Sequence, residues 1–236
     1  MLAKMIDKII SLKDTKTFVI GGENYSDREL FRIAPTEHRP DAIDVSGLDG
    51  LCKAIRKEYH RVGNVFVQII DPIRVKVVTE YKDNMSRDKL YTATSDVPGF
   101  RPEWMSREEA QIKIRSLFIP NEGSSYLLEL LSRMSDESAI SSSDNGVTQT
   151  VEARQGISLK TNLPVKPRVV LQPFRTFLEV EQPASEFLIR VDKDRGIGIF
   201  EADGGVWKLE AKKNIAEFFE RELKDMIEEN RVTVLR

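Results

Sequence analysis

The sequence is poor in the residues that most often build reactive or cross-linked sites. Its 236 residues include one cysteine, Cys52, and two histidines, His38 and His60. A single cysteine excludes an intrachain disulfide and any cage of cysteine ligands for zinc or an iron–sulfur cluster. Two histidines exclude a histidine-rich metal site, and no serine lies in a recognisable nucleophile elbow. The common catalytic signatures are therefore missing.

The sequence also lacks an excess of charge of one sign, and it lacks long apolar runs. The chain has 36 Lys+Arg and 38 Asp+Glu, so that its formal charge is 36 − 38 = −2, and 40% of its residues are hydrophobic. Balanced charge provides no global positive field, so binding to nucleic acid would depend on a local patch. No apolar run approaches the roughly 18 residues that span a bilayer. We expect a cytoplasmic protein with a folded core and no membrane contact.

Hydrophobic periodicity predicts a mixture of helices and strands in the first part of the chain. Capping signals at Ser46 with Asp49, and at Ser106 with Glu109, mark two helix starts. The predicted helices cover residues 1–12, about 47–60, a segment after Ser106 that ends before Pro120, and about 124–134. The predicted strands cover 18–20, 29–33, 65–70, 73–81 and 91–94.

Short runs separated by Gly, Pro or charged turns predict a β-rich second part. The predicted strands cover 147–155, 157–160, 168–171, 176–180, 186–191, 198–201 and 206–210, and a terminal helix runs from 212 to about 230. The polar stretch 135–146 separates an α+β N-terminal domain (1–140) from a β-rich domain with a terminal helix (141–236). The expected class is α+β: a mixed helix/strand region, then a mainly antiparallel β region closed by a C-terminal helix.

Two groups of basic residues are candidates for binding an anionic ligand. Between Leu51 and Tyr91, nine Lys+Arg oppose five Asp+Glu, a local charge of 9 − 5 = +4 with tyrosines interleaved. Such a surface would suit a nucleotide or single-stranded nucleic acid, and arginines on the C-terminal strands would suit bidentate phosphate contacts. An ordinary solvated surface remains the alternative. The candidate ligand-binding residues are Lys53, Arg56, Lys57, Arg74, Lys76, Arg168, Arg175 and Arg190.

One spacing is typical of magnesium-dependent nucleases, in which two carboxylates hold the metal and a lysine stabilises developing negative charge. Here it would consist of Asp71, Glu80 and Lys82. If residues 72–81 form one extended strand, the two carboxylates are roughly 30 Å apart, too far to share a cation. Only a chain reversal near Pro72 would bring them together. We therefore predict no metal site, no cofactor and no catalytic residue.

Three phrases in the C-terminal half carry a family resemblance. They are SDNGVTQTV at 143–151, QPFRTFLEVEQP at 172–183 and FEADGGVWKLE at 200–210. In that order they resemble the YfdQ-like family of uncharacterised phage and prophage proteins, over about residues 85–220. The resemblance implies a bacteriophage or prophage origin, and it brings no enzymatic activity, cofactor or substrate with it.

These observations favour a binding protein over an enzyme. The leading hypothesis is a non-enzymatic phage accessory protein, a homo-oligomer that acts in counter-defence by sequestering a host factor or a nucleotide signal. A second hypothesis is a DNA replication or recombination accessory protein that binds nucleic acid through the basic surface at 51–91. A third is a metal-dependent nuclease built on Asp71, Glu80 and Lys82.

Overall fold

The computed structural model describes residues 5–6, 15–20, 23–26, 41–82, 85–134, 149–155, 159–192 and 194–236. The chain divides into two compact units, residues 1–39 and residues 40–236. In the first unit, β1 (Thr17–Ile20) pairs antiparallel with β2 (Glu23–Ser26), which confirms the strand predicted at 18–20. The strand predicted at 29–33, all but two residues of the helix predicted over 1–12, and His38 lie outside the described residues.

The second unit contains the remaining elements. In chain order they are β3 (Ile43–Val45), α1 (Leu48–Val62), β4 (Val65–Asp71), β5 (Arg74–Thr79), β6 (Lys89–Thr94), β7 (Glu103–Met105), α2 (Arg107–Leu117), α3 (Glu122–Arg133), β8 (Gln149–Gln155), β9 (Leu159–Val165), β10 (Arg168–Leu171), β11 (Ser185–Asp192), β12 (Gly196–Glu201), α4 (Trp207–Glu222), α5 (Lys224–Glu228) and β13 (Val232–Leu235). This mixture of helices with largely antiparallel strands confirms the α+β class.

A five-stranded sheet forms the first half of this unit, in the order β13-β4-β5-β6-β3. Its strands alternate between buried and more exposed residues, as expected when one face of a sheet packs against helices. Helices α1, α4 and α5 cover the buried face. The first core lies between them, with Leu51 and Ile55 of α1 and Phe219 of α4 all at most 1% exposed.

A four-stranded antiparallel sheet forms the second half, in the order β10-β11-β12-β7. Helices α2 and α3 supply Ile114, Leu127 and Leu131 to the second core, which also contains Phe187 and Ile199 of the sheet. The Ser106 cap is confirmed, because its Oγ accepts a hydrogen bond from the Glu109 amide at 3.2 Å. Strands β8 and β9 pair separately as an antiparallel hairpin.

Residues 172–183, which we call the crossing segment, connect β10 to β11 and contact both cores. On the side of the second core, the Phe174 amide donates to the Leu117 carbonyl at 2.9 Å. On the other side, Phe177 is a buried member of the first core, and Thr176 Oγ1 donates to the Pro72 carbonyl at 2.5 Å. The two halves are therefore joined by a partly buried, hydrogen-bonded segment.

Three secondary-structure predictions were wrong. Residues 176–180 form turns instead of a strand, because the Gln182 side chain hydrogen-bonds their backbone and takes the place of a sheet partner. Residues 207–210 begin α4 instead of forming a strand, and the terminal helix is interrupted at Leu223. The sequence prediction ended with a helix over 212–230, whereas β13 follows it and pairs in parallel with β4.

The predicted domain boundary, between 140 and 141 in the polar stretch 135–146, lies outside the described residues. Both large sheets combine strands from either side of it, since β7 pairs with β12 and β4 pairs with β13. The compact unit at 40–236 thus contains parts of both predicted domains. Among the helices described, none combines the length and hydropathy needed to cross a bilayer.

Candidate functional site

The cations predicted over 51–91 do not form one continuous surface. Lys53, Arg56 and Lys57 are exposed on α1, which covers the buried face of the five-stranded sheet. Lys76 lies between Val75 and Val77, both of which are fully buried in the first core beneath that helix. Because side chains alternate across a strand, Lys76 points to the opposite face of the sheet. The sheet therefore separates the helix cations from Lys76.

Arg56 already has strong partners. Its guanidinium makes a bidentate pair with Asp225, with N–O distances of 2.7 and 2.8 Å, and Nη2 also donates to the Glu222 carbonyl at 2.6 Å. The hydrogen bond from Arg56 lowers the pKa of Asp225 to about 2. Arg74 is paired in a similar way, to Asp71 at 2.6 Å beside the β4–β5 turn. Both arginines thus hold neighbouring elements together.

The three residues of the nuclease hypothesis also lie apart. The chain does reverse at Pro72, but Asp71 ends β4 beside this turn, whereas Glu80 follows the far end of β5, where its carboxylate accepts a hydrogen bond from Asn64. Lys82 pairs with Asp88 at 2.6 Å. Within the described residues, no group of three or more His, Cys, Asp or Glu side chains could hold a metal ion. Asp71 and Glu80 therefore do not share a cation site here.

Cys52, the one cysteine, and Tyr91 of the predicted basic surface are both buried in the first core. Cys52 is buried in the first core, and burial raises the pKa of its thiol to about 12, which disfavours the reactive thiolate. Tyr91, one of the interleaved tyrosines, is buried with its hydroxyl donating to Glu58 at 2.5 Å. Its ring is not available for stacking on a base.

The arginines predicted on the C-terminal strands occupy different environments. Arg190 is half-buried on β11, opposite Gly198 of β12. Arg175 belongs to the crossing segment, and its side chain is only 6% exposed. Arg168 is 62% exposed on the edge strand β10, where it pairs with Glu186 at 3.0 Å. The structure therefore does not bring the three together.

The two terminal nitrogens of the Arg175 guanidinium are both hydrogen-bonded within the protein. Nη2 donates to the Pro183 carbonyl at 2.9 Å and to Ser185 Oγ at 2.8 Å, and Nη1 donates to Glu201 at 3.3 Å. Its guanidinium carbon lies 4.1 Å from the ring centroid of Trp207. Burial lowers the pKa of the guanidinium to about 10, although the charge of Glu201 opposes this shift. Arg175 is held by the protein and is closed to a ligand.

Arg168, in contrast, lines a cavity of about 380 Å³ between β10 and the start of α3. The walls are formed by Asn121, Glu122, Gly123, Tyr126, Lys166, Arg168, Val169 and Val170. We call this cavity the β10–α3 cleft. Its two cations stand against one carboxylate, and its volume lies in the range of small-molecule sites.

Three residues at the start of α3 allow this helix to approach β10 closely at the cleft. Asn121 and Ser124 form a capping box, in which Asn121 Oδ1 accepts from the Ser124 amide at 2.8 Å. The Asn121 side chain also donates to the Val170 carbonyl at 3.3 Å. A side chain at Gly123 would place its Cβ 2.1 Å from that same carbonyl, so the approach requires glycine. The start of α3 is thereby fixed against the edge of the sheet.

Tyr126 positions the second cation of the cleft. Its hydroxyl accepts a hydrogen bond from the Lys166 amide at 2.9 Å, and the Lys166 ammonium lies 4.8 Å from the centre of its ring. Lys166 and Arg168 thus face one cavity beside an aromatic ring. This arrangement can attract an anionic group and place a planar group against the ring or the apolar wall.

Sequence reasoning found Arg168 but missed Asn121, Tyr126 and Lys166. Tyr126 falls within the helix predicted over about 124–134, and Lys166 falls between predicted strands. The Asn121 capping box was a readable signal for the start of a helix. Nothing in the sequence indicated that this helix start lies against β10.

Comparison with known proteins adds no assignment. No family model matches the chain, and no similar protein was found among the curated proteins or the solved structures. The resemblance to the YfdQ-like family therefore stays a prediction that rests on the three phrases quoted above.

Proposed function

We propose that this protein is a non-enzymatic phage or prophage accessory protein that binds a small phosphate-bearing ligand of the nucleotide class in the β10–α3 cleft. The observation that carries the proposal is the placement of Lys166 and Arg168 on one cavity of about 380 Å³. The two cations would contact the phosphates. Tyr126 and Val170 would contact the base or the sugar.

The cavity supports a small ligand better than a polymer. A nucleic-acid strand needs a continuous track of cations and stacking rings, whereas the cations over 51–91 lie on both faces of the sheet. The nucleic-acid alternative stays a prediction without a specific contact in its favour. The proposed purpose is sequestration of a nucleotide signal in the cytoplasm of a bacterial host, in the manner of a counter-defence protein. The YfdQ-like resemblance supports the phage setting.

The test is calorimetric titration with ADP, ATP and adenosine at low and moderate salt. We expect ADP and ATP to bind more tightly than adenosine, because the nucleoside lacks the phosphates, and salt to weaken binding. The double variant Lys166→Glu with Arg168→Glu should abolish binding. Arg101→Glu, at an exposed position in the loop before β7, is the matched control and should bind as the unmodified protein does. Equal binding of adenosine and ATP, or an unaffected double variant, would contradict the proposal.

A further inference from the structure

Strand β13 forms an edge of the five-stranded sheet with no strand partner, among the described residues, on its outer side. The Val65 amide of β4 donates to the Arg231 carbonyl at 2.9 Å, and Val65 is in register with Val232. In a parallel pair, successive residues direct their backbone groups alternately to the two sides. The N–H and C=O groups of Val232 and Val234 therefore face the outer edge. An edge of this kind is a template for an additional strand.

A groove of about 630 Å³ lies at the end of this edge strand. It is lined by Leu209, Glu210, Lys212 and Lys213 of α4 and by Arg236, which follows β13. Leu209 is 70% exposed, and Leu235 at the end of the strand is 43% exposed. The groove thus places three basic side chains beside Glu210 and the exposed Leu209, and one of the three, Lys213, also pairs with Glu217 at 3.4 Å on the surface of α4.

We propose that the β13 edge is a docking surface for an extended, acidic segment of a partner protein, which adds to the sheet as a sixth strand. Backbone hydrogen bonds to Val232 and Val234 would hold the segment. Because alternate side chains of a strand point to opposite faces of the sheet, its carboxylates would meet Lys212, Lys213 and Arg236 on the α4 face, and its apolar side chains would lie beside Leu235 on the other face. This surface is separate from the β10–α3 cleft, so the proposal does not depend on nucleotide binding.

The charge of the groove decides between a partner protein and a second copy of the chain. The side chains of a second β13 and its Arg236 include no acidic group and would bring another arginine towards the basic side chains of the groove. Like charges brought together across an interface oppose association. An acidic segment instead supplies the opposite charge and steers the encounter.

The test uses fluorescence anisotropy with three labelled peptides of about ten residues: alternating Glu and Val, alternating Lys and Val, and the Glu/Val peptide with alternate amides N-methylated. We expect the Glu/Val peptide alone to bind, since the Lys peptide has the wrong charge and N-methylation removes the donors that strand addition needs. The double variant Lys212→Glu with Lys213→Glu should bind it at least about tenfold more weakly, which corresponds to ~1.4 kcal/mol for two charged contacts.

Lys53→Glu with Lys57→Glu, on exposed positions of α1, is the matched control and should bind as the unmodified protein does. Circular dichroism melting curves verify that each variant is folded. Failure of the Glu/Val peptide, equal binding of the Lys/Val or N-methylated peptide, or full binding by the Lys212/Lys213 variant would each overturn the proposal. A dimer, measured by light scattering, that the Glu/Val peptide dissociates would assign the edge to a second copy and would overturn it as well.

Discussion

Arg175 in the crossing segment and Arg168 at the β10–α3 cleft come from neighbouring stretches of sequence and have opposite surroundings. Arg175 is 6% exposed and spends its donors on the carbonyl, hydroxyl and carboxylate groups of its own protein. Arg168 is 62% exposed, with one surface ion pair at the rim of a cavity. The difference shows that the same residue type supports the fold at one position and is largely exposed to solvent at the other.

The largest effect is expected from Arg175→Met. This substitution removes the hydrogen bonds to Pro183 and Ser185 and leaves those acceptors buried, while the thioether retains part of the contact with Trp207. Glu201, which is 30% exposed, would be partly rehydrated. We expect the free energy of unfolding to fall by about 2–4 kcal/mol. Urea denaturation monitored by tryptophan fluorescence measures it, and a loss below about 0.5 kcal/mol would contradict the structural role.

A smaller effect is expected from Glu179→Ala. Helix α1 begins after Gly47, which supplies no side-chain cap, and the Leu48 amide instead donates to Glu179 of the crossing segment at 2.7 Å. Loss of a helix cap costs about 1 kcal/mol. Glu181→Ala is the control, because the exposed Glu181 contributes its backbone carbonyl, and not its carboxylate, to the bond with Asn214. Equal urea midpoints for the two variants would show that Glu179 does not cap the helix.

The third prediction concerns an exposed pair and its dependence on pH. The folded-state pKa of Asp225 is lowered to about 2, below the roughly 3.9 of an unperturbed aspartate. The pair with Arg56 therefore stabilises the fold above about pH 4, and this contribution is lost as the pH falls through 2. Arg56→Met should show a small loss of stability at pH 6 that shrinks towards pH 2. A difference that stays constant across this range would mean that the ion pair is not its cause.

The smallest effect on stability is expected from Arg168→Met. Both members of its ion pair with Glu186 are about half exposed or more, at 62% and 47%, and pairs of this kind contribute little. We expect the unfolding free energy to change by less than about 0.5 kcal/mol. Together with Arg175→Met, measured under the same conditions, this substitution separates an arginine that stabilises the fold from one whose removal leaves the fold intact.

Much of the fold was predictable because local periodicity dominates it. The helix predicted over about 47–60 and the strand predicted over 168–171 agree with α1 and β10 within a few residues. The crossing segment was not predictable, since its alternation of Arg175, Thr176 and Phe177 looks like a strand. Its true partner is the side chain of Gln182, which a pattern of hydrophobicity does not register. Strand β13 was missed because four residues after a long helix give a weak signal.

The candidate site was predictable only in part. Arg168 could be proposed from its chemistry, but its meeting with Tyr126 and Lys166 depends on tertiary packing between α3 and β10. Tertiary packing also explains why the cations predicted to act together over 51–91 do not form one surface. Lys57 and Lys76 are close in sequence, yet the strand alternation and the cover of α1 place them on opposite sides of one sheet.

The parallel pairing of β13 with β4 also determines how late in translation the five-stranded sheet can be completed. During translation, the strands between Val65 and Thr94 leave the ribosome long before α4 and β13 exist to cover and flank them. Until α4 and β13 have also emerged, only α1 can cover the face that these strands bury in the folded protein. Ribosome-bound chains that end before Trp207 should accordingly remain sensitive to protease in this region, and protection should arrive only after β13 has been made.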